Sequence, residues 1–309
     1  MLETITPFSA PSKTKLDTSE WFDGTYAGAP QSPIDEFRGN LVQINKLYLQ
    51  ADGRGEYNPM LGSLVYLGMV SAAEGYFRSL LRRLIVVDPA CQHNASSRTV
   101  SYGAALHHES ELLPEALLEG LSLASTKNVA SELRTLCNIT HMSKDGAVPV
   151  ALTQLFENFE AICQVRHCGI HRFGKLGSQQ ALRLGMDLHK PLLEKPLKLT
   201  VSHLEDIAEA LEALVRAVNS YCFADILKRT HSAGPTGREK KAYQVAWQLD
   251  WAIDEERFSD YYEIFASRGG PQASAPAKDL YDAFMAYIIS YDANRKKAAP
   301  RVTNADQIV

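Results

Sequence analysis

The sequence predicts an all-α fold, a helical bundle of about five or six helices followed by a small helical C-terminal appendage. Apolar residues recur at steps of three and four through much of the 309-residue chain, which is the period of a helix with one buried face. Pro59 and Pro114 stand where new helices would begin, a position that tolerates the missing N–H of proline. We therefore expect little or no sheet.

The periodic segments give the expected helices in order. They cover residues 34–49, 59–87, 114–126, 128–139, about 150–173, and a long helix that ends near residue 228. Asn128 is expected to cap the fourth helix, and Ser202 with Glu205 forms a capping-box pattern for the last. The stretch 91–113 shows no clean period and is predicted to be a long connection.

Composition divides the chain into three regions. Residues 1–34 are rich in Ser, Thr, Pro and Gly and predict an irregular N-terminal arm. Residues 35–230 predict the helical bundle, and 231–238 predict a linker. Residues 238–309 predict a small helical region with aromatic residues at helical spacing and a basic tail.

Charge and cysteine usage restrict the classes of function. The chain carries 36 acidic and 32 basic residues, a net charge of -4, so no global basic field indicates nucleic-acid binding and any RNA contact must be a local cleft. The five cysteines form no Cys-x-x-Cys pair, which is typical of a reducing compartment. No apolar run predicts a membrane span or a signal peptide. We expect a soluble, cytoplasmic protein.

The segment Arg166-His167-Cys168-Gly169-Ile170-His171 carries the main functional signal. Arg166 continues the apolar stripe of its helix, so a guanidinium stands where an aliphatic side chain is expected. A buried arginine needs a carboxylate, a phosphate or a water-filled cleft. Glu74, in the helix 59–87, is a candidate partner for Arg166, and Arg78 lies one turn further on. A solvated face with a Glu74–Arg78 pair explains the same residues.

The spacing from Arg166 to His171, with a polar residue directly after the arginine, resembles the signature of the HEPN superfamily. The upstream helix with Glu74 and the helix after Pro196 are similar to the surroundings of that signature, over roughly residues 35–230. The resemblance implies an all-helical domain. It also implies a metal-independent endoribonuclease that needs no cofactor and acts as a homodimer, with its site at the symmetric interface of the motif helices.

Metal-independent RNA cleavage needs a base for the 2′-hydroxyl, an acid for the leaving 5′-oxygen and a cation for the phosphorane. His171 is the expected acid or base, Arg166 the phosphate ligand, and His167 an orienting group or second proton donor; Glu74 and Arg78 are expected to support them. The products would carry 2′,3′-cyclic phosphate ends. The resemblance further suggests a toxin or antiviral-defence role, with an antitoxin or another regulatory partner.

Three other interpretations are open at this point. Cys163, His167 and His171 fall four residues apart on one helical face, and two of these three could bind zinc with a ligand from elsewhere in the chain. Arg166 and Glu74 could be a structural pair in a bundle without catalysis. The domain could also be a catalytically silent, HEPN-like dimerising or nucleotide-binding adaptor. If the protein is a ribonuclease, the C-terminal region from about Arg238 could cover the cleft and restrain it.

Overall fold

The regular elements of the protein are helices. The computed structural model describes residues 15–26, 28, 31–231, 245–269 and 273–298. Within these ranges the extended backbone forms one isolated bridge, between Lys175 and Pro196, and no strand. The predicted all-α class is confirmed.

Twelve α-helices are present in the described ranges. They are α1 (Pro33–Gly53), α2 (Pro59–Val87), α3 (Pro89–Ser96), α4 (Tyr102–His107), α5 (Leu113–Ala116), α6 (Thr126–Thr135), α7 (Thr153–Arg172), α8 (Ser178–Leu184), α9 (Met186–His189), α10 (Val201–His231), α11 (Trp251–Phe265) and α12 (Ala277–Ala298). None of the helices in these ranges combines the length and the apolar character needed to cross a lipid bilayer.

The chain forms two compact units, Met1–Pro30 and Gln31–Val309. In the described part of the first unit, Ser19–Trp21 make a short 3-10 helix. Asp17 accepts hydrogen bonds from the backbone and hydroxyl of Ser19, and Asp23 does the same for Thr25. These hydrogen bonds join residues two positions apart, and the predicted irregular arm 1–34 stays a prediction.

Helix α2 is the centre of the second unit, as its apolar sequence predicts. It contacts α1, α3, α7, α10 and α11. Its side chains Met69, Val70, Ala73 and Leu80 are fully buried. The observed bounds are those predicted, because Asn58 caps the N-terminus by accepting a hydrogen bond from the Leu61 amide at 3.1 Å.

Three predicted local assignments between residues 91 and 139 are wrong. In the predicted helix 114–126, the first three residues lie in α5 and Thr126 begins α6, but residues 117–125 are not helical. Helix α6 is capped by Ser125, not Asn128, since the Ser125 hydroxyl accepts the Asn128 amide. The predicted connection 91–113 contains α3 and α4, which are capped by Asp88 and Ser101.

The start of α10 also differs from the predicted capping box. The Thr200 hydroxyl accepts the His203 amide at 3.3 Å, and the His203 ring accepts the Thr200 amide at 3.2 Å. This reciprocal pair replaces Ser202 and Glu205, so the helix begins one residue before the predicted cap. Two short helices that the periodicity did not indicate, α8 and α9, precede it.

Helices α11 and α12, from the predicted C-terminal region 238–309, pack into the same hydrophobic core as the predicted bundle 35–230. Phe258, Tyr261 and Tyr281 are buried there. The Tyr261 hydroxyl donates to buried Asp88 at 3.2 Å, which ties α11 to the junction of α2 and α3. The predicted linker 231–238 lies outside the described residues except for His231, as does Arg301 of the basic tail.

Candidate functional site

The predicted motif occupies the last turns of α7, where the helix packs against α2. Three contacts set the direction of the pair: Phe77 with Phe159, Glu74 with Arg166 and Leu67 with Gly169. Residue numbers rise along α2 as they fall along α7, so the two helices are antiparallel. A Cβ at position 169 would lie 3.2 Å from Leu67 Cδ2. Glycine therefore permits the close approach of the helices at the motif.

Helix α7 ends where the sequence predicted. Phe173 adopts the left-handed conformation with φ 52°, and Gly174 follows with φ 84°. The Gly174 amide donates to the Cys168 carbonyl at 3.0 Å. This left-handed turn is a common helix C-terminus, usually formed by glycine or asparagine, and it directs the chain into the segment that faces the two histidines.

Arg166 is turned towards α2. Its side chain is 21% exposed, and Nη2 lies 3.5 Å from Glu74 Oε2. The other Glu74 oxygen, Oε1, accepts the Leu123 amide at 2.8 Å, while Arg166 Nε is buried without a hydrogen-bond partner. The predicted pairing of Glu74 with Arg166 is thus present, and it links three segments of the bundle.

Arg78 does not support the motif directly. Its guanidinium donates to the backbone carbonyls of Leu118 and Leu121 and lies 3.6 Å from Glu115. It therefore holds the loop after α5 against α2, and the expected support of the catalytic residues by Arg78 is corrected to a structural contact. The Glu74–Arg78 pair, left open by the sequence, is replaced by these separate partners.

His167 and His171 form the exposed side of the motif. Their ring centroids are 4.7 Å apart at an interplanar angle of 64°, an edge-to-face arrangement that follows from their spacing of one helical turn. Both side chains are exposed and border an open cleft of about 440 Å³. The cleft is lined by His167, His171, Arg172, Gly177, Ser178, Gln179 and Gln180.

The cation that lines this cleft is Arg172, not Arg166. Arg172 forms an ion pair with Glu194 through Nη2. A Cβ at Gly177 would lie 3.1 Å from Arg172 Nη1 and 2.8 Å from Gln180 Oε1, so the glycine leaves the room that these side chains occupy. Sequence reasoning overlooked Arg172, although it directly follows His171.

Cys163 is not placed to bind zinc together with the two histidines. The Cys163 side chain is in the core, at 4% exposure, whereas His167 and His171 face solvent. Burial, with a smaller effect of the nearby Glu160 charge, raises the pKa of the Cys163 thiol above its ordinary value, which disfavours the thiolate that metals require. Among the described residues, no group of three or more His, Cys, Asp or Glu side chains is arranged to hold a metal ion.

The described C-terminal helices do not form a wall of this cleft. Its lining residues, within the part of the chain that the structure describes, come from α7, the following turn and α8. Helices α11 and α12 instead pack on α10. No contact of these helices therefore supports the hypothesis that the C-terminal region covers the cleft.

Comparisons of the chain with protein-family models, with curated proteins and with solved structures find no match.

Proposed function

We propose that the protein is a metal-independent endoribonuclease of the HEPN type. The observation that carries the proposal is the exposed His167–His171 pair, with ring centroids 4.7 Å apart, beside Arg172 in an open cleft. Two imidazoles and a guanidinium are sufficient for RNA cleavage without a metal ion, because they supply a base, an acid and a positive charge.

In the proposed reaction one neutral imidazole takes the proton of the 2′-hydroxyl, and the 2′-oxygen attacks the adjacent phosphorus. The bond from phosphorus to the 5′-oxygen breaks, and the second imidazole, protonated, gives its proton to that oxygen. The products are a 2′,3′-cyclic phosphate and a 5′-hydroxyl, with no net change in protons. Imidazole suits both roles because it changes protonation near neutral pH. Acid and base catalysis of this kind contributes about 10²–10⁴-fold.

Arg166 has a different role in this proposal from the one that the resemblance implies. Its guanidinium is bound to Glu74 and is absent from the lining of the cleft. We therefore assign the Glu74–Arg166 pair to the structure that holds the end of α7 against α2. The two histidines are then presented to the cleft from a fixed backbone.

A homodimer through the end of α7 belongs to the proposal. Ile170 is 48% exposed and Phe173 80% exposed, next to the histidines, so burying them against a second copy would be favourable. Ile170→Asp should give monomers and reduce cleavage, whereas Val150→Asp, at a 93% exposed position just before α7, should leave both unchanged. Mass measurement in solution with a cleavage assay checks this. A monomeric wild type that cleaves RNA would exclude the dimer.

The proposed activity is tested with purified full-length protein and total RNA in excess chelator, with the product ends mapped. We expect cyclic-phosphate ends with the wild type, and a loss of about 100-fold or more for His167→Ala and for His171→Ala. His107→Ala is the matched control, because His107 is exposed at the end of α4 and lies outside the lining of the cleft. Equal activity of all three variants would reject the proposed site.

A role in toxicity or defence, as the resemblance implies, would follow from cleavage of cellular RNA. Induced expression of the wild type should then arrest growth of a bacterial host, and His171→Ala should not. Equal arrest by both proteins would separate toxicity from the proposed chemistry. Co-expressed candidate antitoxins can be scored by restored growth in the same assay.

One observation favours the alternative of a catalytically silent, dimerising or nucleotide-binding adaptor. Arg166, the arginine of the signature, is engaged with Glu74 at 3.5 Å. A folded wild type that dimerises and binds nucleotides, but leaves RNA intact in the assay above, would support this function over the ribonuclease.

A further inference from the structure

We propose that Arg172 is the phosphate-binding residue of the cleft, and that the exposed basic segment Arg172–Thr200 carries the RNA strand beside the point of cleavage. The inference rests on the proposed function, since it concerns the same cleft. It assigns the phosphate contact to a residue outside the Arg166–His171 signature.

The first observation that supports the inference is the position of Arg172. It is the arginine among the lining residues, next in sequence to His171 and on the same cleft as both imidazoles. Its side chain is 40% exposed, so a ligand can reach it. A guanidinium presents a planar fork of donors that matches two phosphate oxygens, which makes arginine well suited to hold a phosphodiester next to a pair of acid–base groups.

The surroundings of Arg172 restrict its movement. Glu194 binds Nη2 from the loop after α9, and Gly177 supplies a wall without a side chain, where a Cβ would come within 3.1 Å of Nη1. Ser178 and Gln179 add a hydroxyl and an amide to the lining. The guanidinium is thus held at the cleft by a partner that is itself 63% exposed and that competes with an incoming phosphate.

The second observation that supports the inference is the positive charge of the segment around Arg172. The segment Arg172–Thr200 contains six Lys or Arg and two Asp or Glu, a net charge of +4 in a chain of net charge -4. The remainder of the chain is therefore at -8. The basic side chains beyond Arg172 are all exposed: Lys175, Arg183, Lys190, Lys195 and Lys198. A local positive surface of this kind attracts a phosphate backbone although the whole protein is acidic.

The ligand that fits both the position of Arg172 and the charge of the segment is a single strand of RNA. The cleft is open and lined mainly by polar side chains, so it can admit a flexible backbone, and the histidines require a phosphodiester with a 2′-hydroxyl. Binding to a basic surface of this kind depends on salt because phosphate contacts release counterions.

The test uses fluorescence anisotropy of full-length protein with a short 2′-O-methyl RNA, which binds but cannot be cleaved. We expect Arg172→Ala to weaken binding about tenfold. Arg268→Ala is the matched control: it removes the same charge outside the segment, at a side chain that is 72% exposed and paired with Glu263, and should weaken binding about twofold or less. Thermal unfolding of each variant verifies that it is folded.

Glu194→Gln gives a second, opposite readout. Removing the competing carboxylate should tighten RNA binding severalfold, because Arg172 is released from its ion pair. Arg172→Ala that binds like the wild type, or Arg268→Ala that loses as much as Arg172→Ala, would overturn the inference. Binding of an acidic peptide in preference to the RNA would overturn it as well.

Cleavage and binding distinguish this inference from the proposed function. If binding of the 2′-O-methyl RNA requires Arg172 but no natural RNA is cleaved, the proposed binding site is supported and the proposed ribonuclease activity is rejected. If His171→Ala abolishes cleavage while Arg172→Ala neither weakens binding nor slows cleavage, the ribonuclease stands and Arg172 is not its phosphate ligand.

Discussion

The two sides of the last turns of α7 differ in how their polar groups are satisfied. On the side facing α2, Arg166 is partly buried and bound to Glu74, whose other oxygen holds the Leu123 amide. On the opposite side, His167 and His171 are exposed and contact each other. One short sequence therefore provides both an internal ion pair and an accessible pair of histidines.

In the proposed ribonuclease, the signature is divided between a structural part, Arg166, and a catalytic part, the two histidines. A charge on the apolar stripe of a helix needs a partner inside the bundle, and Arg166 has one. Imidazoles that are to exchange protons with a substrate need access to it, and the edge of the stripe provides that access. In this protein the charge at the open cleft comes from Arg172.

The largest effect on stability is expected from Glu74→Ala. The change leaves Arg166 and the Leu123 amide without their shared acceptor, so the free energy of unfolding should fall by about 1–3 kcal/mol. Glu157→Ala, at an exposed position of α7, is the control and should change it by less than about 0.5 kcal/mol. Chemical denaturation measures both. Equal effects would mean that the buried side of the motif adds nothing to stability.

A smaller effect, of opposite sign, is expected from Phe173→Gly. Phe173 has φ 52°, a conformation that is unfavourable for a side chain with a Cβ by about 1–2 kcal/mol and that glycine adopts freely. The side chain is also 80% exposed, so little packing is lost within one chain. Stability in dilute solution should rise by about 1 kcal/mol; a clear decrease would show that Phe173 packs inside the protomer.

The smallest effect concerns Cys163 at alkaline pH. Burial raises the pKa of its thiol above the ordinary 9.0, so the folded state keeps the proton longer than the unfolded state. This contribution to stability is complete below pH 9 and is lost as pH rises above it. We expect iodoacetamide to label Cys163 at pH 8 only after denaturation. Fast labelling of the native protein, prevented by added zinc, would revive the metal interpretation.

The sequence was sufficient to predict helix ends and one ion pair, where local signals and burial agree. Pro59 predicted the start of α2, and the loss of the apolar period near residue 173 predicted the end of α7, because helix ends depend on nearby residues. The pairing of Arg166 with Glu74 was predictable for a related reason. A guanidinium on an apolar stripe needs a carboxylate, and Glu74 was the candidate on the most apolar helix.

The remaining features depend on contacts between distant segments. The cleft requires the chain to reverse after Gly174 so that Glu194 reaches Arg172, and no period in 174–200 indicates that path. Likewise, the aromatic residues of α11 predicted a helix but not its partner. Tyr261 donates to Asp88 across 173 positions of sequence, a contact that only the folded chain specifies.

The most direct test of the division between the two sides is the chelator-resistant cleavage rate of the double variant Glu74→Gln/Arg166→Met. The side-chain amide introduced by Glu74→Gln can still accept the Leu123 N–H, and the thioether introduced by Arg166→Met fills the space of the guanidinium without a buried charge. We predict a folded protein that cleaves RNA within about threefold of the wild type, while His171→Ala loses about 100-fold or more. A folded, dimeric double variant that is as inactive as His171→Ala would contradict the structural role of Arg166. Arg166 would then be assigned to binding of the substrate phosphate.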